Sequence, residues 1–156
     1  MEKIMTEEIL NQTIDQFWAT VPRVWHLVRS HLRTIATEQF AISVEQFHVL
    51  RYIRRGFTSV SDIADERQTS RSAVSQAAEL LVVKGLITRQ EEANDRRFVR
   101  LALTPEGDHL LNQIFQQTRS WMMEKMALTS PEDLGSIIEG LALLKTAFDA
   151  PAENSG

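Results

Sequence analysis

Ser70–Lys84 has the sequence SRSAVSQAAELLVVK. It reads as a helix with a small, hydroxyl-rich first turn. Ser70 is suited to cap it, because its side-chain oxygen can accept from the free amides of that turn. Val74, Ala77, Ala78 and Leu81 recur at i, i+3, i+4 and i+7 and mark one apolar face. Arg71, Ser72, Ser75, Gln76 and Glu79 lie off that face. Gly85 is a helix stop, and Lys84 places a cation in the last turn, where it suits the helix dipole.

Upstream, Ser59–Arg67 reads as a short helix capped by Ser59, with Asp62 at its third position. Downstream, Leu86–Glu91 reads as a strand and Ala93–Arg97 as a polar turn. Phe98–Leu103 alternates, with Val99, Leu101 and Leu103 on one side. This spacing predicts a hairpin with one apolar face. Helix, turn, polar-faced helix and hairpin follow each other as in a winged helix-turn-helix, whose second helix suits the DNA major groove.

The flanks are helical. Thr6 to about Phe40 carries an apolar stripe that includes Phe17, Trp18, Val21, Val24, Trp25 and Val28, and Pro22 predicts a break just before it, with Thr20 capping a second segment. Ser43 and Gln46 form a capping-box pair ahead of Phe47, Leu50 and Ile53. Thr104-Pro105 and Ser130-Pro131 open two further helices, with proline where its missing N–H costs nothing. Leu134, Ile137, Ile138, Leu141, Leu144 and Phe148 line the last. A chain of 156 residues has trouble covering so much apolar helix surface alone, so pairing with a second copy is the expected use; a monomeric helical layer is the alternative.

The expected architecture is mainly α with a small β-hairpin wing. Residues 1–42 and 104–150 form a helical dimerisation layer, 43–103 a winged helix-turn-helix DNA-binding lobe, and 151–156 a disordered tail.

Net charge is −4, yet its distribution is uneven. From Arg51 to Arg100 ten basic residues outnumber seven acidic ones, while the remainder has seven basic and fourteen acidic. A basic middle within an acidic chain suits a DNA-contacting module on a scaffold that does not touch DNA. The absence of cysteine excludes disulfides and thiolate metal sites. His26, His31, His48 and His109 are scattered, and the i, i+5 spacing of the first two is poor for a helical metal pair. No cofactor or metal is expected. No nucleophile–base order, glycine-rich phosphate loop or carboxylate pair stands out, so no enzyme is expected. No apolar run approaches a membrane span and the first residues lack a signal-peptide core, so the cytoplasm is the expected location, with no membrane partner.

The chain resembles the MarR family of bacterial transcriptional regulators over nearly its whole length. Val60–Ala64, Ser70–Gln76 and Val83–Arg89 look like the family's helix-turn-helix. Asn94-Asp95-Arg96-Arg97 followed by Val99–Gly107 looks like its wing and the start of its next helix; Asp-x-Arg, strand and Leu-Thr-Pro-x-Gly in this order is a specific signal. The resemblance implies a two-fold homodimer with interlaced terminal helices, acting as a sequence-specific regulator on double-stranded DNA with an imperfect palindromic operator. A repressor released by a small-molecule effector is the leading expectation. An activator, or an interaction module without operator binding, is the alternative.

The expected DNA contacts are Ser70, Arg71, Ser72, Ser75 and Gln76 on the helix and Asp95, Arg96 and Arg97 on the wing. Arginine suits guanine and glutamine suits adenine through two-pronged hydrogen bonds. Ser70 and Ser72 also suit capping or phosphate contact, which carries no sequence information. Arg97 suits a narrow minor groove, Asp95 could hold its guanidinium, and Arg96 suits phosphate. Arg67, Lys84, Arg89 and Arg100 are further candidates for phosphate. The family's regulators often respond to aromatic or phenolic acids bound between the dimer layer and the DNA lobe. Trp18, Trp25, His26, Arg29, Phe47, His48 and Arg51 are the residues expected to line such a cleft, although aromatics at helical spacing also suit a plain core.

Overall fold

A computed structural model describes residues 2–92 and 95–149, with side chains over 5–90 and 99–149. Among the described residues, six α-helices and two strands follow in the order α1 (Glu2–Thr34), α2 (Val44–Arg54), α3 (Val60–Arg67), α4 (Arg71–Val83), β1 (Ile87–Glu92), β2 (Asp95–Leu103), α5 (Pro105–Met126) and α6 (Pro131–Asp149), with a π-helical segment, Ile35–Gln39, directly after α1. The chain divides into two compact bodies, one ending at Arg119 and the other beginning at Ser120.

The first body holds the core. Val49 and Leu50 of α2, Ile63 of α3, Val74, Ala78 and Leu81 of α4, Ile87 and Leu101 of the hairpin, and Leu111 and Ile114 of α5 are buried together. The i, i+3, i+4, i+7 face of α4 is thus the buried one, as its spacing predicts. Helix starts are set by side chains that satisfy free amides. Ser43 Oγ accepts from Gln46 N while Gln46 Oε1 accepts from Ser43 N, completing the capping box. Ser59 accepts from Asp62 N at 3.0 Å and Ser70 from Ala73 N at 3.1 Å.

β1 and β2 pair antiparallel, with Ile87 opposite Leu103 and Arg89 opposite Leu101. Leu101 N also donates to Thr58 O at 2.7 Å, tying the hairpin to the strand-like approach to α3. Thr104 then joins hairpin and α5. Its hydroxyl donates to Gly85 O and accepts from Gly107 N, and its own N–H donates to Leu86 O. Gly107 is obligatory there, since a Cβ at that position would lie 2.0 Å from Leu86 O.

Three expectations change. α1 runs unbroken through Pro22, with no second cap at Thr20. The turns around Pro22 are exposed, so the carbonyl that proline cannot serve remains open to water. The helix yields only at its end, where Ile35–Gln39 forms a π-helical segment and Ala41 takes a left-handed φ of 51°. Asp95, Arg96 and Arg97 belong to β2 rather than to a turn, because backbone pairing continues past an irregularity at Glu91/Glu92 without needing apolar side chains. Val99 does not join Leu101 in the core. It is 39% exposed, against 2% for Leu101, and sits one side-chain repeat further from the core along the ribbon.

The second body is α6 with the end of α5. None of the described residues of α6 is buried, and Ile137, Ile138, Leu141, Leu143 and Phe148 are exposed. α1 likewise exposes Ile9, Ile14, Trp18, Val24 and Trp25.

Candidate nucleic-acid interface and adjoining cleft

The outward face of α4 follows from its inward one. With Val74, Ala77, Ala78 and Leu81 buried, Arg71, Ser72 and Gln76 are exposed at its first two turns and Ser75 is half-buried beside them. Arg71 Nη2 lies 3.7 Å from Asp65 Oδ2, and both side chains are largely in water. Such a pair is weak and screened, so the guanidinium is free to exchange its partner. Ser75 Oγ donates to Glu79 Oε1 at 3.4 Å, and Arg89 Nη2 of β1 lies 3.8 Å from the same oxygen. Glu79 is therefore part of this surface, although it was not among the expected contacts. Its i, i+4 spacing from Ser75 is the signal that could have found it.

For the wing, the backbone of Asp95, Arg96 and Arg97 lies in β2, while their side chains and the expected Asp95–Arg97 pair lie outside the described residues. Two of the further phosphate candidates, Lys84 and Arg67, have partners away from this surface. Lys84 Nζ donates to Ala41 O, and Arg67 turns toward α2 to pair with Glu45.

Beside the lobe, α1, α2 and α3 enclose a cleft of about 440 Å³. It brings together Trp25, Arg29, Phe47, His48 and Arg51. Trp18 and His26 are not part of its lining. Its polar and aromatic lining also includes Arg33, Tyr52, Glu66, Arg67 and Gln68, which were not among the expected residues, with Leu32, Ala36 and Val44 filling the apolar remainder. Arg33 was legible in principle, being one turn beyond Arg29; the α3 residues are brought in by tertiary packing alone.

The cleft is cationic with aromatic walls. Arg51 lies over the Phe47 ring at 5.9 Å, and the Phe47 and His48 rings are 5.9 Å apart. Burial, followed by the charges of Arg67 and Arg51, pushes the His48 pKa down to about 4, so its ring is neutral at neutral pH. Burial also lowers the pKa of Arg51, opposed by Tyr52 and reinforced by Arg55, Arg54 and Arg29. Arginines so placed favour an anion, and the rings favour an apolar body attached to it. Among the described residues there is no group of His, Asp and Glu that could hold a metal ion. Nor is any helix long and apolar enough to cross a membrane.

Comparison with known proteins agrees with this geometry. A family model described as the MarR family matches residues 42–97. The transcriptional regulator YdgG of Bacillus subtilis, of the helix-turn-helix type, is 30% identical over 148 residues, covering 92% of this chain and 95% of its own. The transcriptional repressor MdtR of the same organism is 30% identical over 98 residues, covering 62% of this chain and 63% of its own. Among solved structures, a variant of MepR from S. aureus bound to an oligodeoxyribonucleotide superposes with a TM-score of 0.65 at 23% identity, covering 85% of this chain and 98% of that one.

Proposed function

The chain belongs to the MarR family of winged helix-turn-helix transcriptional regulators, and from that premise we propose that it is a homodimeric, operator-binding repressor released by an aromatic organic anion. The observation that carries the reading is the first two turns of α4. There Arg71, Ser72 and Gln76 stand exposed on a helix whose opposite face is locked into the core. A helix held from behind and polar in front is what entry into a major groove requires. Ser75 and Glu79 extend that surface, and the wing residues Asp95, Arg96 and Arg97 reach an adjoining minor groove or phosphates.

Dimerisation is supported by the exposed apolar stripes of α1 and α6. Two lobes related by a two-fold axis read half-sites about one helical turn, roughly 34 Å, apart. Repression is supported by the likeness to MdtR, itself a repressor. The anionic effector is supported by the cleft, whose arginines and rings are next to the helix-turn-helix. Its binding would favour a lobe spacing that no longer fits two successive grooves.

Selection of bound fragments from the source genome, followed by titration at two salt concentrations, tests the reading. The expected result is an imperfect palindrome with steep salt dependence, as several phosphates are neutralised. Recovery of no enriched sequence would overturn it.

A further inference from the structure

The cleft reaches the turn of the helix-turn-helix itself. Glu66 and Arg67 close α3, Gln68 is its left-handed cap with φ 52°, and all three line the cleft. Ser70 caps α4 two residues later. Arg67 is held by Glu45 of α2 through two parallel contacts, Nη1 to Oε1 and Nη2 to Oε2, the latter at 3.0 Å. The two side chains are only 14% and 32% exposed. A carboxylate on a guanidinium in this two-pronged geometry is among the stronger side-chain contacts, and removing one partner from a sheltered pair leaves an uncompensated charge.

Arg67 shares the cleft with Arg29, Arg33 and Arg51. Glu66, the acidic residue of the lining, lies 4.0 Å from Arg55. Glu45 is thus the carboxylate that the protein itself supplies to the cleft's arginine on α3. An organic anion offers the same two oxygens to the same guanidinium.

We propose that the Glu45–Arg67 pair is a displaceable latch, which holds the end of α3, and through the short turn the start of α4, in the DNA-binding position. An anion entering the cleft competes with Glu45 for Arg67, frees α3 from α2 and shifts the population toward lobes that bind the operator poorly. The second step rests on the reading of the cleft as the effector site; the first does not.

The test compares the full-length wild type, Glu45→Gln and the charge-swapped pair Glu45→Arg with Arg67→Glu. Operator affinity is measured by fluorescence anisotropy and benzoate binding by calorimetry, with thermal melts confirming that each variant is folded. Glu45→Gln is expected to weaken operator binding about fivefold or more, the swap to restore it, and Glu45→Gln to bind benzoate more tightly than wild type because the internal competitor is gone. Should Glu45→Gln fail to fold, Arg67→Lys keeps the charge, loses the two-pronged contact and is expected to weaken operator binding in the same direction. Wild-type operator affinity in Glu45→Gln overturns the latch whatever benzoate does, as does a loss that the swap fails to restore. A restored loss with no benzoate heat in any of the proteins upholds the latch and overturns the anion reading of the cleft.

Discussion

Val49 and Leu50 of α2 are wholly buried, whereas Trp18 and Trp25 of α1 are 68% and 53% exposed. Both helices are amphipathic, and α1 carries the longer apolar stripe. The difference lies in what each stripe finds within its own chain. The stripe of α2 meets α4, β2 and α5 in a core where, among the described residues, no buried side-chain nitrogen or oxygen lacks a partner. Along α1, burial begins only at Leu32, and in α6 no described residue is buried. The α2 stripe is satisfied within its own chain; α1 and α6 each leave an apolar surface of the kind that marks an interface.

The largest effect expected from breaking this contrast is on assembly. Ile138→Glu combined with Leu141→Glu puts charge on the α6 stripe, where no core is disturbed. The variant is expected to sediment as a monomer with its lobe still folded, and to lose about a hundredfold or more in operator affinity as two-site binding is lost. A dimer with unchanged affinity would remove α6 from the interface.

Gly107→Ala attacks the core region instead. Its Cβ would meet Leu86 O at 2.0 Å, a backbone atom fixed by Thr104 N, so strand and helix must part. A loss of about 3 kcal/mol is expected in denaturant titrations, and a loss below experimental error would show that the joint is looser than its geometry.

Arg97→Ala is expected to weaken operator binding by about 1–3 kcal/mol with little change in thermal stability. Unchanged binding in an anisotropy titration would remove the wing from the DNA contacts.

His48 gives a smaller effect with a definite sign. Its pKa falls from 6.5 to about 4 in the folded chain, through burial and then Arg67 and Arg51, with Arg29 adding and Glu45 opposing. Between those values the unfolded chain binds a proton that the folded chain refuses. The stability is therefore full above pH 6.5 and declines as the pH drops toward about 4. His48→Gln is expected to lose less of its melting temperature than wild type over that range; parallel losses would place the titration elsewhere.

The smallest effect is a gain. Ala41 holds φ at 51°, a conformation that glycine adopts without the Cβ penalty. Ala41→Gly is expected to stabilise the chain by about 1 kcal/mol in denaturant titrations, and a destabilised variant would show that the conformation is not strained.

The lobe was readable from the sequence because its signals are local. The caps at Ser43, Ser59 and Ser70 sit three residues from the amides they serve, and the buried face of α4 is a spacing rule. The persistence of α1 through Pro22 was not readable, because it depends on how exposed the neighbouring turns are. The cleft was readable on one side only. Trp25 and Arg29 are one turn apart and share a face, but Trp18 lies roughly 10 Å further along the helix, and His26 is a quarter-turn around it. Arg67 is 22 residues from Glu45, a distance at which no periodicity speaks. Gly107 could be recognised as part of a motif, but its reason, the carbonyl of Leu86, exists only once the hairpin is docked on α5.

The most direct test of the central claim is sedimentation equilibrium of the intact chain at micromolar concentration, alone and with an operator fragment from the selection. A dimer is expected in both cases, one per operator. A monomer that binds the operator with full affinity and no second copy would contradict it.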